Sequence, residues 1–69
     1  MSLAEFLRGF AAEAGLASTT EADEQWAAFS RQLTDDARDC IESGGYEAGK
    51  IQGQSFREMY PKPAPKEVR

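Results

Sequence analysis

Residues 26–59 read WAAFSRQLTDDARDCIESGGYEAGKIQGQSFREM. Within them, apolar and small side chains recur at Trp26, Phe29, Leu33, Ala37, Cys40, Gly44, Ala48, Ile51, Ser55 and Met59. The steps run three, four, four and repeat, which keeps every member on one side of an α-helix. Such an eleven-residue repeat averages about 3.67 residues per turn and suits a long, nearly straight seam. The pattern predicts one helix over residues ~20 to 60, with a break at Gly44-Gly45 as the competing reading. Each glycine costs roughly 1 kcal/mol against alanine in a helix interior. The stripe nevertheless passes Gly44 without losing phase, and that favours continuity.

Working back from this stretch, Ser18 and Glu21 form a capping box, and Glu21, Asp23 and Glu24 suit the first turn of a helix. A shorter helix is expected over residues 2–15. Ser2 and Glu5 have capping-box spacing, and Leu3, Phe6, Leu7, Phe10, Ala11 and Ala14 give one apolar face. Gly15 is placed to end that helix, with Leu16 making the hydrophobic contact of a Schellman ending. The short connection makes the two helices neighbours. Working forward, Pro61 disfavours helical geometry at Tyr60 and stops the long helix. Residues 1–60 thus read as one small all-α domain, a helical hairpin. Residues 61–69, with alternating prolines and lysines, read as a flexible extended tail.

A chain of 69 residues makes one small domain at most. Domains of this size bury a modest share of their surface and commonly lean on disulfides, metals or partner subunits. Cys40 is the sole cysteine and histidine is absent, so neither an internal disulfide nor a histidine metal site is expected. Cys40 on the seam reads as a packed thiol behaving as a small apolar group, and fits a reducing compartment. Nothing approaches the ~20 apolar residues of a membrane span. No basic stretch precedes an apolar run, so a secretory leader is not expected and the cytoplasm is.

Net charge is −4, from eleven acids and five bases in the first 60 residues against one acid and three bases in the last nine. An acidic body repels phosphate backbones, so direct nucleic-acid binding is not expected. No nucleophile elbow, phosphate loop or zinc motif is present, and no enzymatic activity or cofactor is expected. The cluster Asp35, Asp36, Asp39 and Glu42 reads as a solvated acidic face.

Association is the remaining theme. Gly45, Gly49 and Gly53 recur every fourth residue, with Ala48 beside them, and clear one helix flank for close approach of a second backbone. Ala37, Cys40, Ile41, Ile51 and Phe56 complete the expected helix-packing or dimer surface. A short helix spanning about 20 Å leaves two-thirds of a 60 Å seam uncovered, and this argues for a homodimer or a tight heteromeric complex. Phe6, Phe10, Trp26, Phe29 and Leu33, with Arg31 and Arg38 on the flank, are the expected partner contacts. Arg31 with Asp35 and Arg38 with Glu42 have the spacing of helix ion pairs.

Residues 44–53, Gly-Gly-Tyr-Glu-Ala-Gly-Lys-Ile-Gln-Gly, resemble a segment of small helical antiactivators of quorum sensing. These are the QslA-type inhibitors of LasR and small phage proteins with the same task. The resemblance implies a protein that binds the ligand-binding domain of a LuxR-type transcriptional regulator and blocks its dimerisation. Two other readings stand beside this one. The first is a DNA mimic using Asp35, Asp36, Asp39, Glu42 and Glu47 in place of phosphates. The second is a structural or antidote subunit that folds with a cognate partner.

Overall fold

Two helices carry the architecture, and they lie at opposite ends of the chain. In the computed structural model, which describes residues 3–60, α1 (Leu3–Ala14) packs along α4 (Gly45–Met59). The connection between them holds α2 (Thr19–Phe29) and α3 (Asp35–Glu42). The described residues are thus all-helical, with four helices and no strand. The tail expected over residues 61–69 and the Ser2 cap lie outside the described residues.

Glycine sets the contact between α1 and α4. A Cβ on Gly49 would run into the Phe6 carbonyl oxygen, and one on Gly9 into the Tyr46 carbonyl oxygen. A Cβ on Gly53 would stand 2.6 Å from the Phe10 carbonyl oxygen. The two backbones therefore touch where only hydrogen fits. Arg57 Nη1 closes the far end, donating to the Glu13 carbonyl oxygen at 3.3 Å. At Gly49 and Gly53 the flank of α4 is cleared of side chains, and its occupant is the chain's own first helix.

Above that contact sits the core. Phe6, Leu7, Phe10, Ala11 and Ala14 of α1 are buried with Ala22 and Trp26 of α2. Phe6 and Phe10 are fully enclosed at 0% exposure, each contributing on the order of 2–3 kcal/mol by area. Leu16, Phe29, Leu33, Ile41, Ala48 and Phe56 pack around this centre, half-buried.

Helix ends follow the local chemistry. Gly15 adopts φ 76°, and the Leu16 N–H donates to the Ala11 carbonyl oxygen at 3.0 Å, the long bond of a Schellman ending. Ser18 Oγ accepts from the Glu21 N–H at 3.2 Å, while Glu21 Oε1 accepts from the Ala17 N–H at 2.9 Å.

The continuous helix over residues 20–60 is corrected in two places. The first break follows Phe29. The Ser30 N–H still reaches the Trp26 carbonyl oxygen, but Leu33 N–H turns back to the Ser30 carbonyl oxygen at 2.9 Å. Thr34 then caps a new helix, its Oγ1 accepting from the Ala37 N–H at 3.1 Å, with Asp35 and Asp36 in the first turn. The second break is the alternative raised for Gly44-Gly45. Gly45 has φ 73°, a conformation that side chains other than glycine rarely adopt, and it turns the chain into α4. Gly45 therefore serves the turn, and the helix-packing row is Gly49 and Gly53.

These breaks also correct the hairpin. The seam is not one straight ridge, because its first part, Trp26 and Phe29, folds onto α1, and α4 returns alongside α1. The argument for a covering second copy, which required an extended ridge, loses its premise.

Candidate functional site

Six of the aromatic rings form one continuous array that begins in the core and ends at the surface. Phe6 meets Trp26 at a centroid separation of 4.8 Å, and Phe10 meets Trp26 at 5.7 Å and Phe56 at 5.4 Å. Phe29 stands edge-on to Phe56 at 5.5 Å. Tyr60 closes the array against Phe56 at 5.1 Å and Phe29 at 6.1 Å. Separations of this order are favourable for tilted and edge-to-face rings. The spacing of Phe56 and Tyr60, one helical turn apart, places both rings over the same side of the α4 terminus.

The outer end of the array is a groove between the C-terminal turns of α2 and α4. Gln25, Ala28, Phe29, Phe56 and Tyr60 line a hollow of about 250 Å³. A second hollow of about 320 Å³ shares Ala28, Phe29 and Tyr60 with the first and is lined by Arg31, Gln32 and Met59 as well. Met59 and Tyr60 are 60% and 57% exposed, side by side in sequence and on the groove. Apolar and aromatic walls with an amide at one rim and a guanidinium at the other suit contact with a protein or peptide surface.

The expected partner contacts divide. Phe29 forms a groove wall and Arg31 stands exposed at its rim. Phe6, Phe10 and Trp26 are corrected: burial at 0–2% makes them core, closed to any partner of the folded chain. Leu33 is half-buried against that core. Arg38 bonds Asp35 at 3.1 Å rather than Glu42. Glu42 instead takes the indole N–H of Trp26 at 2.6 Å, which ties α3 to the core. The acidic cluster is therefore partly engaged in the chain's own contacts.

The helix-packing set divides in the same way. Gly49 and Gly53 are buried, and Ala37, Ile41, Ala48 and Phe56 are half-buried. Ile51 is 60% exposed, and Cys40 is an exposed free thiol rather than a packed one. Both face away because the breaks before Thr34 and at Gly45 reset the helical phase. Lys50 Nζ stands 5.8 Å from the Tyr46 ring centre, away from the array.

Sequence reasoning passed over Gly9, Gln25, Ala28, Met59 and Tyr60 as site residues. A signal for Tyr60 was present in the Phe56–Tyr60 pair. Nothing in the linear order brings Phe29 to that pair.

Among the described residues no cluster of three acidic or cysteine side chains is arranged to hold a metal ion. No helix among them is long and apolar enough to cross a membrane. Comparisons with family models, curated proteins and solved structures find no match to this chain.

Proposed function

We propose that this chain is a small non-enzymatic protein-binding domain that acts as an inhibitor, using the aromatic groove at the C-terminal ends of α2 and α4. The observation that carries the reading is the exposure of Met59 and Tyr60 beside the half-buried rings of Phe29 and Phe56. Large apolar side chains held at the surface by a rigid ring array are poorly explained by stability, since they bury little. They are well placed as anchors, because ordered aromatic side chains lose little further entropy on binding. Phe29, Met59 and Tyr60 are the proposed anchors, and Arg31 the polar rim contact.

The proposed partner class is a transcriptional regulator of the LuxR type, on the resemblance of residues 44–53. Within that stretch Gly49 serves the packing against α1, as does Gly53. Tyr46, Glu47 and Ile51 are exposed there and free to meet a second protein.

Affinity capture from the native host, comparing the unaltered chain with Met59→Ser/Tyr60→Ser, tests the reading. Both positions are exposed, so the variant keeps its helical circular dichroism. A protein retained by the unaltered chain and lost by the variant is the expected result. Identical capture by both would remove the groove from the function. Titration of a purified LuxR-type ligand-binding domain tests the partner class separately.

A further inference from the structure

Charge is distributed unevenly around the groove. Its two hollows share Ala28, Phe29 and Tyr60 and differ in their remaining walls. Gln25 and Phe56 complete the first, so no charged side chain lines it. Arg31 is the one charged residue lining the second. Its guanidinium is exposed and makes no ion pair among the described residues, and the Asp35 carboxylate four positions on is held by Arg38 at 3.1 Å. The α2 side of the rim carries the opposite sign. Glu24 lies one helical turn before Ala28, is exposed, and makes no ion pair among the described residues. Glu21, one turn before Gln25, is engaged by the Ala17 N–H at 2.9 Å. Glu24 and Arg31 are seven positions apart, about 10 Å at the helical rise.

Resting on the groove assigned above, we infer that its occupant is an amphipathic helical segment of a partner protein, with an acid and a base two turns apart and two apolar side chains between them. The acid meets Arg31, the base meets Glu24, and the apolar pair enters the two hollows. On such a helix the acid and base also stand about 10 Å apart, and side chains three and four positions after the acid project from the same face. An extended peptide joining by its backbone needs a sheet edge, and the described residues contain no strand. A uniformly acidic partner is disfavoured by the net charge of −4 and by Glu24, and a uniformly basic one by Arg31. The two rim charges thus select the segment, while the rings and Met59 supply the contact area.

Fluorescence anisotropy with the full chain and two capped, alanine-rich helical peptides of about 15 residues is the test. One peptide carries Glu-x-x-Leu-Leu-x-x-Lys, and the other has glutamine at both charged positions. The expected result is about tenfold tighter binding of the charged peptide at low salt, a preference that fades at high salt. Arg31→Glu should abolish the preference, and Arg31→Glu/Glu24→Arg should restore it, because the peptide can then bind in the reverse direction. Both positions are exposed, so circular dichroism should be unchanged in each variant. Equal affinity for the two peptides, binding of neither, or a preference untouched by Arg31→Glu overturns the inference. Loss of capture by Met59→Ser/Tyr60→Ser without any charge preference would sink this inference alone. A charge preference with unchanged capture would sink the proposed function alone.

Discussion

Gly49 shows how one missing side chain decides a packing arrangement. Alanine there would gain roughly 1 kcal/mol of helix propensity, and that gain competes with a Cβ driven into the Phe6 carbonyl oxygen. Overpacking of a well-filled contact costs about 1–3 kcal/mol, and backbone cannot swing aside as a flexible side chain would. The clash wins. Gly49→Ala is expected to lower stability by about 2 kcal/mol, or roughly 10 °C in melting temperature for a domain of this size. Ile51→Ala, at a site 60% exposed, is the control and should stay within about 0.5 kcal/mol. Equal melting temperatures for the two variants would show that α1 does not lie against Gly49.

At the scale of an element, α3 is the weakly held part. It has eight residues and none of them is buried. Helices this short are marginal without tertiary support, so α3 depends on its edges. Those edges are the Thr34 cap, the half-buried Ile41 and the bond from the Trp26 indole to Glu42. Amide hydrogens of α3 are therefore expected to exchange faster than those of α1 and α4. Glu42→Ala leaves the indole N–H without its acceptor and should speed α3 exchange about tenfold, a cost of about 1.4 kcal/mol, while Glu42→Gln retains an acceptor and does less. Exchange in α3 as slow as in α1 would mean that the segment is anchored by something other than these contacts.

At the scale of the whole molecule, the question is how much apolar surface is left over. An unbroken helix of forty residues would leave a ridge needing a second copy. The folded chain instead closes a core within residues 3–60, and among the described residues the exposed large apolar side chains are Leu3, Tyr46, Ile51, Met59 and Tyr60. Of these, Met59 and Tyr60 join in one groove. The net charge of −4 adds repulsion between copies at low salt. Light scattering at micromolar concentration is accordingly expected to return the 7.6 kDa of a single chain. A mass that doubles with concentration would restore the dimer argued from the sequence.

Local chemistry settled what the linear order alone can settle. The all-helical class, the Ser18–Glu21 cap, the Gly15 ending and the glycine-cleared flank of α4 all depend on neighbours within one or two turns, and all are readable from residue type and spacing. The Thr34-Asp35-Asp36 start of α3 belongs to the same class of signal, yet a stripe that kept its phase concealed it. Only tertiary structure decided which helix fills the flank, which aromatic rings are core, and where the surface groove lies. Trp26 and Met59 belong to the same helical stripe, yet one is 2% and the other 60% exposed, because periodicity says that a face is apolar without saying what covers it. Burial is a property of the partner face as well as the residue, and here the partner is some forty positions away along the chain.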